Sequence, residues 1–195
     1  MIDLRPATET LAELVAAVGD DQLTAPTPCA DTTVGGLLDH IDGFATGFIA
    51  AAAKQTGPAG SGPSADPSRL DADWRRQIPR RLAALADAWA DPAAWDGTTT
   101  VAGLELPGEV AGVVALDELI VHSWDIAVSS GQRFTCPDDL VAAATGFVAP
   151  IAAANPSGAP GLFGPPVAVA ADASPLDQLL GLTGRDPHWR PSPAR

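Results

Sequence analysis

The segment from Glu109 to Gly131 limits the fold more than any other part of the chain. One helical stripe carries Ala111, Val114, Ala115 and Val121, and the opposite side carries Val113, Leu116, Ile120 and Ala127. A helix that is apolar all round has no face for water and must lie inside a packed domain. Yet Glu118, His122 and Asp125 sit within it. An ionised carboxylate in such a place needs a cation or strong hydrogen bonds to offset its desolvation. Four residues advance a helix by about 400°, so Glu118 and His122 leave one face a turn apart, and Asp125 returns to the same stripe.

The remaining segments supply partners for this helix. Leu4, Ala7, Leu11, Leu14, Val15 and Val18 recur at helical spacing and predict a first helix over 3–18. Pro26 and Pro28 hold the next stretch extended, and Asp31, Thr32 or Thr33 offers an N-cap for a second helix from about 33 into the 50s. Its glycines at 35, 36, 43 and 47 imply close approach of a neighbouring backbone. TGPAGSGPSADP, residues 56–67, reads as an exposed loop. A third helix is expected over 70–90, with Trp74, Ile78, Leu82, Leu85 and Trp89 on one side and Pro79 as a kink site. GTTTVAGLELP, residues 97–107, suits a short hairpin turning at Ala-Gly. A fifth helical segment is expected over 137–152, and beyond it the chain is rich in Pro and Gly with a short apolar run at Val167 to Ala170.

These elements predict a mainly all-α domain. The 195 residues suffice for one core, and 46% hydrophobic residues, many of them alanine, against 18% charged ones favour closely packed helices. We divide the chain into a helical bundle over 1–154 and a C-terminal extension over 155–195, packed on the bundle with a flexible end. A net charge of −13, from 24 acidic and 11 basic residues, repels nucleic acid and anionic membrane surfaces. No apolar run approaches the roughly 20 residues that span a bilayer. MIDLRPATETLAEL does not read as a secretory signal, so a cytoplasmic location is expected, with Cys29 and Cys136 as free thiols. Trp74, Trp89 and Trp95 are candidates for a homodimer surface or for the core.

His40 aligns with Leu37, Phe44 and Phe48 on the inner face of the second helix, which makes it the natural third ligand beside Glu118 and His122. Two imidazoles and a carboxylate suit zinc, with nickel, iron or manganese as alternatives, and three protein ligands leave a position for water or substrate. Asp125 reads as a further ligand or as an acceptor for an imidazole N–H. The competing reading pairs Glu118 and His122 with each other or with Arg75, Arg76, Arg80 or Arg81, and satisfies His40 with Asp39, Asp42 or a carbonyl. Cys29 qualifies as a nucleophile only if His40 lies beside it, and His188 sits in a polar tail. Phosphate-binding loops, dinucleotide fingerprints and nucleophile elbows are absent from the sequence.

TPCADTTVGGLLDHIDG, then LDELIVHSWDIAVSSGQ, then PLDQLLGLTGRDP resemble the mycothiol-dependent maleylpyruvate isomerase-like proteins of the DinB/YfiT-like superfamily. The resemblance implies a four-helix bundle with metal ligands at His40, Glu118 and His122. It also implies a mycothiol-like thiol as cosubstrate for a small electrophilic substrate, in a transferase- or isomerase-like reaction. A metal that activates water for hydrolysis is an alternative, and a non-catalytic metal- or small-molecule-binding bundle is the rival from another class. Two departures stand out. The run Asp31 to Thr33 replaces a tryptophan common in relatives, and residues 155–195 are too short and Pro-rich to replace the isomerase's separate C-terminal domain. The resemblance therefore does not extend to maleylpyruvate isomerisation itself.

Overall fold

Helix-forming segments and their breakers set the element order. The computed structural model describes residues 1–55 and 64–191, so most of the 56–67 loop and the last residues of the expected flexible end lie outside the described part. The helices are α1 (Arg5–Ala16), α2 (Val34–Ala52), α3 (Trp74–Trp89), the single turn α4 (Pro92–Trp95), α5 (Gly108–Ser130), α6 (Asp138–Ala154) and α7 (Pro175–Leu182). Strands β1 (Thr98–Val101) and β2 (Leu104–Pro107) form the one hairpin among the described residues. Both α1 and α2 pack against α3 and against α5. The ring order is thus α1, α3, α2, α5, a four-helix bundle with α6 added on the outside of α5 and α7 on α6.

The core follows from apolar spacing. Leu11, Val15, Leu38, Ile41, Ile78, Leu82, Leu85, Leu116 and Leu119 are fully enclosed, each such side chain contributing about 1.5–3 kcal/mol relative to exposure. On α5 residues of both apolar stripes are buried, among them Ala111, Ala115, Leu116, Ile120 and Ala127, while Val113 and Val114 are half-buried. The helix stops where Gly131 takes a left-handed φ of 73° and its N–H reaches the Ala127 carbonyl. At the start of α2, the Thr33 side chain accepts from the Gly36 N–H at 3.3 Å.

Backbones do approach Gly35 and Gly36 closely. An added Cβ would stand 3.1 Å from the Leu23 carbonyl oxygen and 2.6 Å from that of Ala65, respectively. Gly47 differs from that expectation, for a Cβ there meets nothing within 4 Å. The third helix begins at Trp74 rather than 70, because Pro67–Arg69 form a separate 3-10 turn that Asp66 caps. Pro79 lies inside α3. Trp74, Trp89 and Trp95 are buried core residues rather than surface. Trp89 Nε1 donates to the Phe48 carbonyl at 3.0 Å, and Trp95 Nε1 to that of Trp89 at 2.8 Å.

The hairpin turns at Ala102 and Gly103, with φ of 49° and 81°, the pair of positive angles that a two-residue hairpin turn favours. Thr99 anchors it by donating to the Ala51 carbonyl at 2.6 Å. After α6 the run Val167 to Ala170 forms no strand, although the Val167 N–H bonds the Gly181 carbonyl at 2.8 Å. α7 was not foreseen in the sequence. Ser174 caps it, Pro175 opens it, and its Leu179 and Leu180 are fully buried. Both cysteines are free, and no described helix is long and apolar enough to cross a membrane.

Candidate metal centre

Two helices of the ring bring three ligand-type side chains together. α2 points His40 inward between Leu37 and Phe44, while α5 offers Glu118 and His122 from successive turns. One ligand atom from each lies within 4.8 Å of the other two. Glu118 Oε2 stands 3.0 Å from His122 Nε2 and 3.3 Å from His40 Nε2. The two imidazole centroids are 4.8 Å apart at 77°, and the Phe44 ring stacks on His122 at 6.1 Å. Side-chain exposures of 25% for Glu118, 20% for His40 and 9% for His122 put the cluster at the floor of a cleft, within reach of small molecules.

Behind the cluster stands a buried charged layer. Asp125 Oδ2 lies 3.0 Å from His122 Nδ1 and accepts a hydrogen bond at 3.0 Å from Arg185 Nη2. Asp125 is fully buried and Arg185 is 11% exposed. Burial pushes the Asp125 carboxyl up, but Arg185 and His122 more than offset this and hold it below the usual carboxylate range. Burial likewise opposes the charged forms of Glu118 and His122. Their mutual hydrogen bond, with those from His40 and Asp125, outweighs it, holding Glu118 low and raising His122 to about 10. Burial and the adjacent Glu118 push Asp117 up to about 7.

Sequence reasoning missed Arg185, which follows Asp125 by 60 positions. Of the α3 arginines weighed as partners for Glu118 and His122, Arg75 pairs with Asp20, Arg76 with Asp73 and Arg81 with Asp42. Asp125 stands outside the converging trio, on the far nitrogen of His122. Cys29 lines the cleft that His40, Glu118, His122 and Arg185 also line, a cavity of about 510 Å³. His188 is exposed and outside the cluster.

The donor set fits a divalent cation. Two imidazole nitrogens and a carboxylate oxygen within 4.8 Å of one another form a three-ligand set that would leave a coordination position open. With a cation in place of the Nε2 proton, Asp125 accepting from Nδ1–H would keep the His122 Nε2 lone pair directed to the cluster, the usual second support of a metal-bound imidazole.

Comparison with known proteins places the bundle in a family. Two uncharacterized proteins from two strains of Mycobacterium tuberculosis are each 29% identical to the chain over 188 residues, covering 92% of it and 93% of their own length. The crystal structure of the mycothiol-dependent maleylpyruvate isomerase matches with a TM-score of 0.57 at 16% identity. So does that of a histidine-to-alanine mutant of the same enzyme. The match covers 76% of this chain and 65% of the isomerase chain, and it shows a common fold. A family model described as the mycothiol maleylpyruvate isomerase N-terminal domain matches residues 4–127, from the start of the bundle through the Glu118, His122 and Asp125 stripe. The chain belongs to the mycothiol maleylpyruvate isomerase N-terminal domain family.

Proposed function

We propose that this protein is a metal-dependent enzyme in which His40, Glu118 and His122 hold one divalent cation, zinc before nickel, iron or manganese. Its cosubstrate is a low-molecular-weight thiol of the mycothiol type, and its substrate a small electrophile. The observation that carries this reading is the convergence of three ligand atoms within 4.8 Å on the floor of an open cleft. Only three such donors converge among the described residues, whereas a purely structural ion would have a closed shell of four protein ligands. A cation held there would lower the pKa of a thiol bound beside it.

The protein's own residues perform the remaining tasks. Asp125 fixes the orientation of the His122 ring through Nδ1, and Arg185 keeps Asp125 ionised in the core. Arg185 also borders the cleft, together with Cys29, Thr32, Thr183 and the backbone of Gly164 and Gly184. That polar wall suits a hydroxyl- and amide-rich thiol.

The test is thiol consumption by zinc-loaded protein presented with an electron-poor alkene. Wild-type protein is expected to accelerate the loss of mycothiol, and Glu118→Gln and His122→Ala to lose this on the order of 100-fold or more. Metal bound without any acceleration would favour the non-catalytic binding bundle instead.

A further inference from the structure

The cluster opens on a second cleft of different character. This cavity, about 340 Å³, lies between α2, α5 and the hairpin turn, and its lining includes Phe44, Phe48, Val101, Val114 and Leu162. His40 and Glu118 border both clefts, so the pair forms a partition reached from either side. Among the described residues, no Lys or Arg lines the second cleft, and its only ionisable groups are His40 and Glu118 at the inner end. Away from the inner end, where the proposed cation would sit, a carboxylate or phosphate would have no countercharge and would lie among Phe44, Phe48, Val101 and Val114, so an anionic group is disfavoured along the cleft. Leu162, 48% exposed, stands at the border of both clefts, where an apolar ligand would cover it.

We infer that this second cleft binds the electrophile, and that the electrophile is an uncharged, largely apolar molecule of roughly a dozen heavy atoms. The thiol occupies the cleft that Arg185 borders and the electrophile the one without Lys or Arg, the two meeting at His40 and Glu118. This division rests on the proposed thiol chemistry for what happens to the ligand. With an electron-poor alkene, the sulfur–carbon bond forms as the carbon–carbon π bond breaks, and the thiol proton ends on the adjacent carbon. No oxidant or reductant is needed.

Gly47 provides the test. It lines the apolar cleft on an exposed turn of α2, and a Cβ there meets nothing within 4 Å. Gly47→Leu therefore adds a side chain at the cleft from a position where its Cβ has room, and leucine favours the helix over glycine. Binding of naphthalene, with naphthalenesulfonate as its charged counterpart, is followed by ligand-observed NMR titration, with melting curves for each protein. Val101→Trp serves as a second variant that narrows the cleft from the hairpin. Naphthalene is expected to bind the wild-type protein, and the sulfonate at least about tenfold more weakly. Each folded variant should weaken naphthalene by about tenfold or more. Equal binding of the sulfonate, no binding of naphthalene, or naphthalene affinity untouched by both variants would overturn the inference. Naphthalene held in this cleft by a protein that transfers no thiol would uphold the ligand class and sink the proposed reaction.

Discussion

Replacing Arg185 by methionine will destabilise the protein by about 3 kcal/mol. The guanidinium donates from Nη2 to Asp125 Oδ2 at 3.0 Å and from Nε toward Oδ1 at 3.5 Å, and Asp125 has no exposed surface. Methionine keeps much of the stem's packing, so the loss is chiefly that of the charge. Removing one partner of a buried ion pair costs about 3–5 kcal/mol. His122 remains as a second partner at 3.0 Å and Arg185 is itself 11% exposed, which sets the effect at the lower end. For a domain of this size, that corresponds to a fall in Tm of about 6–12 °C. Urea unfolding and differential scanning calorimetry on wild type, Arg185→Met, Asp125→Asn and the double variant form the assay. Arg185 Nη1 also donates to the Thr183 carbonyl at 3.0 Å, a loss common to both Arg185→Met arms that cancels in the cycle. The double variant is expected to recover about 2 kcal/mol relative to the sum of the single ones. A loss within about 0.5 kcal/mol for Arg185→Met, or strict additivity, would refute the idea that this pair holds the layer behind His122.

Other sites give narrower expectations. Gly112→Ala places a Cβ 2.5 Å from the Trp95 ring and 2.9 Å from that of Trp89. Both indoles are tied by hydrogen bonds, so a net loss of about 1–2 kcal/mol in urea unfolding is expected despite the better helix former. Thr33→Ala removes the acceptor for the Gly36 N–H and should cost about 1 kcal/mol in the same assay. Burial, with Asp139 and Asp138, pushes the Cys136 thiol up from 9.0 to about 11, so it stays protonated until pH passes that value. At about pH 8 its thiolate is about 100-fold scarcer than that of an ordinary cysteine, partly offset by greater nucleophilicity, so alkylation should run about tenfold slower than in a reference peptide. Mass spectrometry of iodoacetamide time courses checks this, and a rate equal to the peptide's would contradict it.

Local signals carried much of the bundle, because the apolar positions of α1, α2, α3 and α5 repeat at helical spacing and the start of α2 and the end of α5 bear recognisable caps. Thr33 and Gly131 sit where a helix start and stop were expected, and Ala102-Gly103 turns the hairpin. The trio His40, Glu118 and His122 was visible as residues of like kind on inward faces, and the structure brings them together. α7 escaped because surrounding Pro and Gly obscured a short signal that was present: Ser174 as cap, Pro175 at the first position and Leu176, Leu179 and Leu180 on one side. Arg185 escaped for a different reason. Its partner is 60 residues distant, and nothing local distinguishes it from the surface arginines of α3, whose acidic partners lie elsewhere. Gly47 was grouped with Gly35 and Gly36 by residue type alone, and only the packed neighbours separate a close contact from an open rim.

The most direct test of the central claim is the metal content of protein purified without an affinity tag, measured by elemental analysis beside His40→Ala, Glu118→Gln and His122→Ala, before and after reconstitution. The account predicts close to one divalent ion per wild-type chain and its loss from all three variants, with each variant still folded by circular dichroism. A wild-type protein that takes up neither zinc, nickel nor manganese, or variants that retain the ion, would contradict it.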